Sequence, residues 1–215
     1  MKFVMFYHSL VSDWNHGNAH FLRGVVSELL ARGHEVEVFE PEDGWSRTQL
    51  VAEHGSAPIE EFERRFPRLS SRTYDLDTLV LEEAVDSADV VLVHEWNDPA
   101  LVAGLGRIAS KQRRLLFHDT HHRAATAPQE MARYDLSAYD GVLAFGEAVR
   151  QRYLEHFEEI RHIQRELVAR AESAGVPVVR SFALDRTVEQ VAALMVDAVS
   201  TVRTHHPRRR AASDV

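Results

Sequence analysis

The sequence predicts a Rossmann-like α/β fold, a parallel sheet with helices on both faces. Three observations carry this. Short apolar runs with β-branched content recur along the chain, helical patterns separate most of them, and polar residues gather directly after the runs. Strands covered by helices on both sides read as continuous apolar stretches because neither face meets water.

The runs fall at residues 3–7 (FVMFY), 36–39 (VEVF), 90–93 (VVLV), 115–117 (LLF), 142–145 (VLAF) and 176–179 (VPVV). Between the first two, Asn18 to Arg32 carries Leu22, Val25, Val26, Leu29 and Leu30 on one helical face, and Gly33 supplies the left-handed residue that ends a helix. The spacing predicts shorter helices over Ser46–Glu53, Pro58–Phe66 and Asp77–Val85, and Thr73-Tyr74 is compatible with a short strand. A further helix starts at Asp98-Pro99, where the carboxylate accepts backbone N–H bonds and proline takes a position whose N–H is orphaned anyway. From Glu147 to about Ser173 runs a long pattern through Val149, Tyr153, Phe157, Ile160, Leu167 and Ala171. At 1.5 Å per residue it would span about 40 Å, so a kink or break near His156 is expected. A last helix is predicted from about Arg186 to Val202, and residues 203–215 form a basic tail expected to be disordered. The expected organisation is one compact unit: residues 1–154, a helix–strand–helix completion over residues 155–202, and the tail.

Composition narrows function. The chain has 215 residues, 45% hydrophobic and 27% charged, enough to bury a sizeable core. A formal charge of −8 gives no global basic field, so nucleic acid is not an expected partner. Without cysteine there is no disulfide, thiolate zinc site or cysteine nucleophile. The only lysines, Lys2 and Lys111, both lie outside the Gly-x-x-x-x-Gly-Lys context of a phosphate-binding loop. No run approaches the ~18 apolar residues of a membrane span and the opening apolar run is too short for a signal peptide, so a cytoplasmic protein is expected.

In open parallel sheets ligands bind outside the carboxyl ends of the strands. After the first run comes His8 to His20, containing Asp13, Trp14, Asn15, His16, Gly17 and Asn18 and leading into a helix N-terminus that can hold an anion. After the 90–93 run comes His94-Glu95-Trp96-Asn97-Asp98; after the 115–117 run, His118-Asp119-Thr120-His121-His122-Arg123; after the 142–145 run, Gly146-Glu147. Four strand ends thus bring polar groups to one rim. His118, His121 and His122 have metal-like spacing but no firm third-ligand geometry, so hydrogen bonding is the preferred reading and neither metal nor cofactor is assigned. Trp14 and Trp96 either stack on a sugar or base or simply fill the rim. His34 is read as favouring a helix C-terminus, and His54, His156, His162, His205 and His206 as surface residues. Gly104-Leu-Gly106 lies late in a helix, the wrong place for a dinucleotide glycine motif.

Together, Asn15-His16-Gly17-Asn18-Ala19-His20-Phe21, Leu29 to Val36, Val91 to Asn97, Leu115 to Arg123 and Tyr139 to Gly146 resemble the N-terminal domain of two-domain, GT-B-type glycosyltransferases, closest to the group 1 and CgeB-like bacterial proteins. The resemblance covers residues 1 to about 154. It implies sugar transfer from a nucleotide-sugar donor, with His118 and Asp119 as catalytic residues and His8, Asn15, Gly17, Asn18, Glu95, Trp96, His121, His122, Gly146 and Glu147 at the donor or substrate. Gly17 would lie near the donor phosphates, His118 would approach the transferred sugar, and a retaining transfer would use the donor's own phosphate as base. His16 departs from the pattern, since many relatives have a second glycine there.

From Tyr153 onward, Tyr-Leu-Glu-His-Phe-Glu-Glu-Ile-Arg-His-Ile-Gln, Ala174 to Val179 and Asp185-Arg186-Thr187-Val188 resemble instead the closing segment of 2-phosphoglycerate-kinase-like P-loop proteins. The second domain that would grip the donor is therefore expected to be missing from this chain, or supplied by a partner chain. Three readings result: a glycosyltransferase-like protein, a non-catalytic module binding a sugar, phosphate or nucleotide, and a remnant of an ATP-dependent small-molecule kinase.

Overall fold

The computed structural model describes residues 1–12, 17–120, 128–144 and 146. The expected strand at 176–179 and the helices after residue 147 lie outside them. Six strands form one all-parallel sheet: β1 (Lys2–Phe6), β2 (Glu35–Pro41), β3 (Ser71–Tyr74), β4 (Val90–His94), β5 (Arg114–Asp119) and β6 (Gly141–Ala144). Their spatial order is β3-β2-β1-β4-β5-β6. This is the doubly wound Rossmann arrangement, with the chain reversing direction across the sheet between β1 and β4.

The strands' apolar residues alternate between two cores. On one face Phe3, Met5, Tyr7, Val38, Val90 and Leu92 pack with Leu22, Val25, Val26 and Leu29 of α1 (Gly17–Ala31). Phe62 of α3 (Ala57–Arg65) joins the same core. On the other face Val4, Phe6, Val91, Val93, Leu115 and Phe117 pack with α4 (Leu81–Ala84), α5 (Pro99–Arg107) and Met131 of α6 (Pro128–Met131). The remaining helix, α2 (Trp45–His54), follows β2 and touches α3. Each fully buried Phe or Leu contributes about 1.5–3 kcal/mol by leaving water, and the two cores hold the sheet from both sides.

Local chemistry sets the ends of these elements. Gly33 has φ +78°, and the N–H groups of His34 and Gly33 bond to the carbonyls of Leu29 and Leu30 at 3.0 and 3.1 Å, closing α1 as its glycine predicts. Asp98 accepts from the Ala100 N–H at 2.7 Å with Pro99 as the first residue of α5. The helix expected over Asp77–Val85 is shorter, only Leu81–Ala84. Asp75 is the reason: its carboxylate accepts the Asp77 N–H at 2.7 Å and its carbonyl accepts from Leu79 at 2.9 Å, so residues 75–79 form a separate turn and Val80 is extended. Gly104 and Gly106 lie within α5; a Cβ on Gly104 would come 2.6 Å from Leu81 Cδ1, which ties that glycine to helix packing.

Candidate functional site

The site follows from the alternation. Tyr7 continues β1, His94 ends β4 and His118 lies in β5, all on the face that α1 covers. They form one layer at the carboxyl ends of three adjacent strands. The His94 ring lies 4.9 Å from that of Tyr7, 5.1 Å from His8 and 5.4 Å from His118, while Phe21 of α1 lies 5.7 Å from His118. Trp96, 39% exposed, has its ring 5.5 Å from His8. Three imidazoles and an indole thus gather where the sheet reverses.

Each histidine's surroundings fix much of its chemistry. Tyr7 Oη and His118 Nδ1 are 2.7 Å apart and buried. Burial pushes the His118 imidazolium down to about 4 and raises the Tyr7 phenol well above its ordinary value, so near neutral pH both groups are uncharged. His94 is fixed by a chain of bonds. Its Nδ1 accepts the Trp96 N–H at 3.3 Å, so Nε2 carries the proton and donates to Thr120 Oγ1 at 3.1 Å. Thr120 Oγ1 also accepts from Asn18 Nδ2 at 2.9 Å, which leaves its own hydrogen for Glu95 Oε1 at 3.1 Å. The Thr120 N–H reaches the same oxygen at 3.0 Å. Thr120 is thus the knot that joins the first turn of α1 to the ends of β4 and β5. Replacing it with valine keeps the shape but removes three of these bonds; a loss of about 1–3 kcal/mol is expected in urea titrations.

The loop after β1 is fastened from the other side. Glu40, buried at the end of β2, accepts the N–H groups of Leu10 and Val11, the latter at 3.1 Å, and the Ser71 hydroxyl at 2.5 Å. Arg23 of α1 lies over the Phe62 ring at 4.6 Å and donates to the carbonyls of Leu10 at 2.8 Å and Val11 at 3.3 Å. Burial raises the Glu40 carboxyl above its ordinary value, against the opposing pull of the Ser71, Leu10 and Val11 bonds and the charge of Arg47.

Of the residues singled out in the sequence, His8, Gly17, Asn18, Glu95, Trp96, His118 and Asp119 come to the ends of β1, β4 and β5, with Gly17 opening α1. Gly146, with φ +88°, follows β6 at the same end of the sheet. Asn15, His121, His122 and Glu147 lie outside the described residues, as do Trp14 and His16. His118 and Asp119 are consecutive in β5 and project to opposite faces; the partner that meets His118 is Tyr7. Glu95 and Asp119 are fully buried. Among the described residues no three His, Asp or Glu side chains group as a metal site, and no helix is long and apolar enough to cross a membrane.

Three contributors escape the sequence reading. Tyr7 looks like the last apolar residue of a strand, Thr120 like one polar residue in a polar run, and Glu40 like a strand-end carboxylate. A local signal exists only for Glu40, a carboxylate closing an apolar strand.

Set against protein-family models, curated proteins and solved structures, the chain matches none of them.

Proposed function

We propose that the chain is a glycosyltransferase-like protein whose rim at β1, β4 and β5 holds a nucleotide sugar or a glycan acceptor, with donor contacts completed by a partner chain. One observation carries this reading: the uncharged His118 gathers with the imidazoles of His8 and His94 where the sheet reverses, beside the part-exposed Trp96. Neutral donors suit hydroxyls and phosphoryl oxygens, and an indole face suits the apolar side of a sugar ring. In this reading His118 donates a hydrogen bond to the ligand, and the N-terminal amides of α1 at Gly17 and Asn18 face its phosphate.

Calorimetric titration with UDP-, GDP- and ADP-sugars and with glycan acceptors tests the proposal, followed by a turnover assay of whatever binds. Binding that His118→Ala abolishes supports it; no binding, alone or with candidate partner chains, refutes it. A second reading, a module that binds the same ligands without turning them over, is favoured by the burial of Glu95 and Asp119, the carboxylates that follow β4 and close β5. Turnover abolished by His118→Ala would exclude it.

Gly17 gives a separable test. Among the described residues a Cβ there meets nothing within 4 Å, so Gly17→Ala is expected to leave the melting temperature unchanged or slightly raised. If a phosphate closes on this turn, the added methyl is expected to weaken phosphate-bearing ligands several-fold and leave uncharged sugars unaffected in the same titrations.

A further inference from the structure

We infer that Tyr7 is a positioning residue which holds His118 in the tautomer with hydrogen on Nε2, so that His118 gives a hydrogen bond to a ligand oxygen and takes no proton from it. The role at a ligand rests on the function proposed above; the tautomer assignment does not.

The geometry decides the direction of the bond. Tyr7 is 3% exposed, and among the described residues its hydroxyl has one partner, His118 Nδ1 at 2.7 Å. Were Nδ1 to carry the hydrogen and donate, the phenolic O–H would be buried with no acceptor among the described residues, an arrangement that costs the desolvation of a polar group. With the phenol donating, both groups are satisfied and the imidazole's one hydrogen resides on Nε2. The rings are held in this relation from three sides: Tyr7 comes from β1, His94 from β4 and Phe21 from α1, with ring centroids 5.8, 5.4 and 5.7 Å from that of His118. Among the described residues His118 Nε2 has no hydrogen-bond partner, so its hydrogen is available to a ligand. Burial, which keeps the ring neutral, agrees with this role.

A neutral imidazole with hydrogen on Nε2 has no lone pair on that nitrogen for an acceptor hydroxyl's proton, and its other nitrogen is engaged by the phenol. In any transfer at this rim His118 therefore steadies a developing negative oxygen by donation, and the acceptor's proton leaves to another base, such as the departing phosphate oxygen.

The test is a long-range nitrogen–proton NMR correlation of the imidazoles at pH 7, with the His118 signals identified by their loss in His118→Gln. The expected result is an unprotonated Nδ1 and a protonated Nε2 in the wild type, and a shift toward a mixture of tautomers in Tyr7→Phe. A protonated Nδ1 in the wild type, or an unchanged tautomer population in Tyr7→Phe, overturns the inference. The wild-type spectrum answers the first question even if Tyr7→Phe folds poorly. Titration with UDP-glucose supplies the functional arm: a roughly tenfold weaker affinity in Tyr7→Phe is expected, and unchanged affinity overturns the positioning role. Absence of binding by UDP-glucose and by the other nucleotide sugars and glycans, alone or with candidate partner chains, with the Nε2 tautomer intact counts against the proposed function and leaves the tautomer assignment standing.

Discussion

Substituting His118 with glutamine is expected to flatten the acid limb of the stability profile by about 3 kcal/mol between pH 6.5 and 4. Burial lowers the folded-state value from 6.5 to about 4, so across that interval the unfolded chain takes up a proton that the folded protein does not. The unfolded state binds more protons, and stability must fall as the pH is lowered through the window. In His118→Gln this contribution is absent. Urea titrations of both proteins at half-unit steps measure it, and the difference between the profiles removes what the other histidines and the carboxylates contribute to both. Parallel profiles would mean that His118 ionises in the folded state as readily as in the unfolded chain, and that it is not held neutral.

The second large effect is at Glu40. Truncation to alanine removes the acceptor of three donors, the N–H groups of Leu10 and Val11 and the Ser71 hydroxyl, in a buried setting. A loss on the order of 3 kcal/mol is expected, with the loop before α1 loosened. Glu40→Gln is expected to be far milder, because the amide oxygen still accepts from both N–H groups and the Ser71 hydroxyl can turn to accept from the amide nitrogen. The two variants also separate charge from bonding. The folded carboxyl holds its proton more tightly than the unfolded one, so Glu40's contribution to stability is greatest at low pH and declines as the pH rises through the raised value. Glu40→Gln removes that decline. If Glu40→Ala proved as stable as the wild type, the loop would have to be held by Arg23 and packing alone.

The fold was legible because its signals are local. Five of the six observed strands lie at the apolar runs, the sixth at Thr73-Tyr74, and α1 and α5 begin or end at the glycine and the Asp-Pro pair that mark them. Asp75 misled the reading of residues 77–85 because a side chain bonding its own turn competes with a helix over only a few residues. The rim was legible as a set of strand ends. Its internal wiring was not. Tyr7 and His118 are 111 positions apart in sequence, and their meeting depends on the order of β1, β4 and β5 and on the face each residue takes. The same holds for Asn18 and Thr120, 102 positions apart. His118 and Asp119, adjacent in sequence, face opposite sides of the sheet as consecutive strand residues do, which places Tyr7 and not Asp119 against His118.

If the rim around His118 holds a nucleotide sugar or a glycan, a thermal-shift panel reads it out. Wild type and His118→Ala are melted with UDP-, GDP- and ADP-sugars, free nucleotides, ATP and uncharged oligosaccharides. A ligand at 100 times its dissociation constant stabilises by about 2.7 kcal/mol, or about 5–10 °C for a chain of this size. The predicted result is a shift of that order with at least one nucleotide sugar or glycan, lost in His118→Ala. No shift with any of them, alone or with candidate partner chains, or an equal shift in both proteins, would mean that the rim does not hold such a ligand.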